Sequence, residues 1–259
     1  MPIITGRYPA GIVTPRFSDR AGSFHRAADV YERARPGYPR PAVEWAVGEN
    51  SQRVLDLAAG TGKLTAGLVT LGHDVVAVEP LEQMIRQLKS SLPSVAPVMG
   101  VAERLPLAGA SLDAAVVAQA FHWLDPGRAF AELARVLRPG GTVALMWNVR
   151  DQGVPWVAEL TPIIGSEKIE SGWRETLEAS PLFGPIERRD FRHEQSLDLA
   201  TLLDLVASRS YVIILTDTER AAVFDRVRRL WSEHPGLSGR ERAPLPYITE
   251  VYRVHRKEE

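Results

Sequence analysis

Through the middle of the chain, short apolar runs alternate with stretches whose apolar positions recur every three or four residues. The runs at 53–57, 74–78, 95–99, 114–118 and 142–147 are rich in β-branched and other apolar residues and predict strands. The intervening segments 63–71, 81–90 and 128–137 predict helices, the last closed by Pro139, Gly140 and Gly141. Strand, helix, strand repeating every roughly 20 to 30 residues implies a parallel doubly wound sheet. About 50 residues before it look helical. After it, 191–196 and 249–255 predict strands, and 197–207 and 219–231 predict helices.

Composition narrows the classes of function. The chain has 259 residues, 45% apolar and 24% charged, with 31 Lys+Arg against 32 Asp+Glu. A net charge of −1 provides no basic footprint for nucleic acid or an anionic membrane. With no cysteine there is no disulfide, thiolate zinc site, iron–sulfur cluster or cysteine nucleophile. The histidines show no ligand spacing, so no metal is expected. Neither a signal-peptide core at the N-terminus nor a long uninterrupted apolar stretch is visible, so the expected location is the cytoplasm.

In a doubly wound sheet, ligands sit at the carboxyl ends of the strands. The turn after the first strand reads Asp56-Leu57-Ala58-Ala59-Gly60-Thr61-Gly62-Lys63-Leu64-Thr65. A phosphate-binding Walker loop needs Ser or Thr after Gly-Lys, where Leu64 stands, and a glycine where Leu57 stands. The dinucleotide fingerprint needs a third glycine where Thr65 stands. What remains is an acid, Asp56, before a glycine-rich turn, with a second acid, Glu79, ending the next strand. A carboxylate there can accept both hydroxyls of a ribose.

These residues resemble a known family. The segments Asp56–Gly62, Ala77-Val78-Glu79-Pro80, Ala102-Glu103-Arg104-Leu105-Pro106-Leu107, Gln119-Ala120-Phe121-His122-Trp123 and Leu137-Arg138-Pro139-Gly140-Gly141 are similar to successive motifs of class I S-adenosylmethionine-dependent methyltransferases. Tyr31-Glu32-Arg33-Ala34-Arg35-Pro36-Gly37-Tyr38-Pro39 and Ser208-Arg209-Ser210-Tyr211 are similar to segments of the trans-aconitate-methyltransferase-like branch. Ala58 departs from the family pattern, standing at the first glycine of G-x-G-x-G.

The resemblance implies a Rossmann-like core over 51–150, an N-terminal helical cap over 1–50, and last strands with inserted lid helices over 151–259, all one compact unit. It implies S-adenosyl-L-methionine as cofactor and a small-molecule acceptor, with a regulatory or non-methylating cofactor-binding protein as the alternative. Asp56 would orient the turn, and the backbone of Ala58, Gly60, Thr61 and Gly62 would pass the methionyl group. Glu79 would hold the ribose, with Pro80, Met84, Ala102 and Glu103 around the adenine. Tyr31, Arg35 and Tyr38 would close over the cofactor's carboxylate. Gln119, Phe121, His122 and Trp123 would form the wall between sulfonium and acceptor, with Trp147, Asn148 and Tyr211 lining the acceptor side. Two activation routes stay open: His122 as general base for a phenol, hydroxyl or amine, or Arg209 as a bidentate clamp for a carboxylate.

Overall fold

A computed structural model describes residues 34–165 and 172–258, the side chain of Ser210 excepted. Strands β1 (Arg53–Leu57), β2 (Asp74–Glu79), β3 (Val98–Met99), β4 (Leu112–Ala118), β5 (Leu137–Arg150), β6 (Glu187–Leu197) and β7 (Ala243–His255) form one sheet. Its order is β3-β2-β1-β4-β5-β7-β6. β1 pairs in parallel with β2 and β4, β2 with β3, and β4 with β5. β7 runs the other way, because Gly140 donates to Arg256 while Asp151 donates to Pro246. The sheet is thus the expected doubly wound, mostly parallel one, and its order reverses beside β1. That reversal opens a crevice at the carboxyl end of β1.

Among the described residues the helices are α1 (Arg40–Val47), α2 (Lys63–Thr70), α3 (Glu82–Ser91), α4 (Pro126–Val136), α5 (Pro155–Ile164), α6 (Trp173–Glu178), α7 (Leu199–Ala207), α8 (Ser210–Ile213) and α9 (Asp217–Glu233), with one 3₁₀ turn at Phe121–Trp123. Their starts are chemically marked. Asp125 caps α4 by accepting from the Arg128 amide, with Pro126 at the first helical position. Thr216 and Glu219 form a reciprocal capping box on α9. Among the described residues no helix is long and apolar enough to cross a membrane.

β6 and β7 begin four and six residues before the expected 191 and 249, and two further boundaries differ from the sequence pattern for local reasons. β3 keeps only Val98–Met99 of the expected 95–99, because Pro97 has no amide to give a ladder and Val95 is buried among Ala77 and Leu88 instead. β5 begins at Leu137, before the Pro139-Gly140-Gly141 break. Leu137 pairs with Leu112 and Thr142 with Ala114, so the residues between bulge out of the ladder.

The chain forms two compact units. The described residues of one are 37–148, 172–191 and 249–258; those of the other are 34–36, 149–165 and 192–248. In the first, Val43 and Val47 of α1, Leu64 and Leu68 of α2, and Val54, Val116, Met146 and Val251 of the sheet bury one sheet face. The second is built around Trp156 and Leu160 of α5, Leu202 and Val206 of α7, Trp231 of α9, and Leu245 and Tyr247 of β7.

Candidate active site

Strand alternation puts Asp56 on the same face as Val54, toward α2. Thr65 in the first turn of α2 donates its hydroxyl to Asp56 Oδ2 at 2.6 Å, and the carboxyl is buried. Between them the chain takes left-handed conformations at Ala58 (φ +58), Gly60 (φ +58) and Gly62 (φ +96). At Ala58 that geometry costs on the order of 1 kcal/mol that glycine would not incur. The Ala59 amide anchors the turn to Val78 O of β2 at 3.1 Å.

Glu79, ending β2, is also buried, and its carboxylate shapes the turn. Oε2 accepts the Gly60 amide at 2.9 Å and Oε1 accepts the Leu81 amide at 3.0 Å. The sequence marks Glu79 as a candidate ribose ligand; its bonds to the turn form only in the folded chain. Burial pushes both carboxyls up in pKa. Asp56 reaches about 7, burial acting first and the Glu79 charge adding, against the Thr65 hydrogen bond.

A stability prediction follows from Asp56. Its folded pKa lies above its unfolded one, so its favourable contribution is complete below about pH 4 and is lost as pH rises toward 7. Between pH 6 and 8 unfolding free energy should fall by on the order of 1 kcal/mol, and Asp56→Asn should flatten that slope. Urea unfolding at pH 6, 7 and 8 measures it. Equal slopes in both proteins would show that Asp56 does not titrate there.

Around the turn, Pro80 is half-buried, Thr61 and Met84 are buried, and Ala102 is buried. Glu103 accepts the Asp125 amide at 3.0 Å. Met99 and Val101 were not singled out by sequence. Among the described residues they are two of the few exposed large apolar side chains, at 57% and 48%, and Met99 pairs with Glu79 across β2 and β3. The signal available was an apolar residue at a strand's carboxyl end, beside the acid.

At the end of β4, Gln119 is left-handed (φ +58), donates its amide to Met146 O, and donates Nε2 to Asn148 O at 3.3 Å. His122 and Trp123 follow, half-buried, with ring centroids 4.8 Å apart. Phe121 is fully buried and stacks on Phe130 at 4.7 Å, so its ring belongs to the core. Trp147 stacks on Trp173 at 5.6 Å and meets Tyr252 edge-on. Alternation along β5 points Trp147 away from the face of Met146 and Asn148. Tyr38 is half-buried against the core under α1.

Residues 55–145 match the family described as methyltransferase domain. Over 236 residues, 91% of this chain and 96% of the other, the sequence is 46% identical to an uncharacterized methyltransferase of Mycobacterium tuberculosis. The chain belongs to the class I S-adenosylmethionine-dependent methyltransferases. It is also 30% identical over 234 residues to an uncharacterized methyltransferase-like protein of Schizosaccharomyces pombe, covering 86% of this chain and 91% of that one. A solved methyltransferase structure from Anaeromyxobacter dehalogenans superposes with a TM-score of 0.61 at 28% identity, covering 86% of this chain and 97% of that one.

The family implies S-adenosylmethionine, and the methyltransferase's residues fit it. A Cβ built on Gly60 would meet nothing within 4 Å, so the turn leaves room where a ligand must approach. Each Glu79 oxygen spends one acceptor site on a backbone amide and has a second for a hydroxyl.

The other unit of the methyltransferase holds the remaining sequence candidates that the structure describes. Arg35 donates Nε to Ser208 Oγ at 2.9 Å and Nη2 to Ser208 O at 3.3 Å. Arg209 is nine-tenths buried, its guanidinium 6.0 Å from the Tyr211 ring. Tyr211 donates its hydroxyl to Ile163 O at 3.3 Å. Arg150, which no sequence pattern marked, is 2% exposed and donates to Gly165 O at 2.6 Å, beside Tyr211. Tyr31 lies outside the described residues.

Proposed function

We propose that this methyltransferase transfers a methyl group to a carboxylate of a small-molecule acceptor. The bound cofactor supplies a methyl on a sulfonium, whose thioether is already an excellent leaving group. The protein's task is then to position, to exclude water, and to hold the acceptor's charge. Glu79 would take the ribose diol, and the Ala58–Gly62 backbone would lie along the methionyl group. Pro80, Met84, Ala102 and Glu103, joined by Met99 and Val101, would hold the adenine. Gln119, His122 and Trp123 would form the wall beside the sulfonium.

The observation that carries the carboxylate reading is Arg209, a buried cation held over Tyr211. The same unit holds two further guanidiniums, Arg35 bonded to Ser208 and Arg150 bonded to Gly165. A carboxylate is a nucleophile at neutral pH and needs no base; it needs a fork of donors, which guanidinium provides and ammonium does not. A phenol, hydroxyl or amine would instead need its proton removed, with His122 as the imidazole to do so.

The test assays His122→Ala and Arg209→Lys with carboxylic acids screened by adenosylhomocysteine release, from pH 6 to 9 at saturating cofactor. The clamp predicts a loss of about tenfold in kcat/KM for Arg209→Lys and a pH profile that His122→Ala leaves in shape. A rising limb that vanishes in His122→Ala, with Arg209→Lys nearly active, would replace the clamp by a general base.

A further inference from the structure

Asn148 lies at the end of β5, 3% exposed, with both ends of its side-chain amide engaged. Nδ2 donates to Gly37 O at 2.9 Å, and Oδ1 accepts from the buried Thr249 hydroxyl at 2.6 Å. Its backbone carbonyl accepts Gln119 Nε2 at 3.3 Å. Gly37, Asn148 and Thr249 are three of the residues at which the chain enters or leaves the unit carrying the Asp56–Gly62 turn, on the lead to α1, on β5 and on β7. The side-chain amide therefore ties three separate passages of chain to one another, and the backbone carbonyl of the same residue holds a fourth point, Gln119, which is in a left-handed conformation that non-glycine residues rarely adopt. Strain of that kind persists only where surroundings over-determine it, and the Asn148 carbonyl together with Met146 O does so here.

We propose that Asn148 is a positioning residue for methyl transfer: it contacts neither cofactor nor acceptor, and holds Gln119 and the Gly37 segment in the geometry the transfer step requires. The proposal rests on the reading of Gln119 as part of the wall beside the sulfonium. Loss of the side-chain bonds to Gly37 and Thr249 shifts the β5 backbone carbonyl to which Gln119 is bonded, a disturbance that acts on the methyl side. It separates adenosylmethionine from adenosylhomocysteine, which differ by one methyl and one charge, while leaving the Glu79 end untouched.

The test titrates the full chain calorimetrically with each compound at pH 8 and pH 5.5. Asn148→Asp at pH 8 replaces the donor to Gly37 O by a carboxylate facing a carbonyl, and is expected to shift the ratio of the two dissociation constants about fivefold from that of the unmodified protein at the same pH. Burial and the facing Gly37 carbonyl raise the pKa of the introduced carboxyl, so lowering the pH to 5.5 favours its protonated, donating form and the ratio should move back toward the unmodified value. Thr249→Val, which removes only the hydroxyl bonded to Oδ1, should shift the ratio in the same direction and less, and supports the test if Asn148→Asp fails to fold. A ratio unchanged in the folded variants, with only the melting temperature lowered, would overturn the proposal and leave Asn148 a structural amide. Failure of the unmodified chain to bind adenosylhomocysteine would instead overturn the cofactor site itself.

Discussion

Glu79→Ala is expected to weaken adenosylhomocysteine binding by at least about tenfold, and nearer a hundredfold if both ribose hydroxyls bond the carboxylate. Two effects act together. Charge-assisted hydrogen bonds to the ribose, about 1.5–3 kcal/mol each before compensation by water, are lost. The Gly60 and Leu81 amides, which Glu79 now accepts at 2.9 and 3.0 Å, lose their partner, so the turn loosens as well. Glu79→Gln should fall close to the alanine variant, since its amide nitrogen must face one of those N–H donors. Calorimetric titration decides it. An unchanged dissociation constant in a Glu79→Ala protein with native circular dichroism would remove Glu79 from the cofactor site.

Gly62→Ala is expected to cost about 2–4 kcal/mol of stability, from left-handed strain plus a forced contact. The added Cβ would sit 2.9 Å from Leu88 Cγ and 3.2 Å from Leu92 Cδ1, and Leu88 is fully buried in the core under α3, so it has little freedom to yield. Gly60→Ala is the informative contrast. Its φ is +58 and its Cβ would meet nothing within 4 Å, so stability should fall by only about 1 kcal/mol while cofactor affinity drops, because the methyl occupies the ligand's approach. Urea unfolding of both variants, paired with adenosylhomocysteine titration of Gly60→Ala, tests this. Equal stability losses at the two glycines would contradict the difference in their surroundings.

The chemistry around Asp56 and Glu79 was legible in sequence because it is local. An acid at a strand end and a glycine-rich turn lie within seven residues, and a period of two in β1 against 3.6 in α2 tells where one element gives way to the next. The boundaries of β3 and β5 were less legible. Pro97 and the Pro139-Gly140-Gly141 group act through amides and bulges whose partners, on β2 and β4, lie far away in sequence.

The chain by itself determined the alternation of strands and helices, the parallel doubly wound sheet, and the family to which the Asp56–Gly62 turn and Glu79 belong, since each rests on residues close together in sequence. Which side of a strand faces what was decided only in the folded molecule. Trp147 and Asn148 are adjacent, yet the pleat sends one into an aromatic stack with Trp173 and Tyr252 and the other to Gly37 and Thr249, 111 and 101 residues away. Arg150 is buried on Gly165 by the same tertiary route, and Arg35 finds Ser208 across 173 residues. The physical reason is that a buried polar group takes whichever partner the packed chain brings within about 3 Å, and sequence spacing carries no record of that partner.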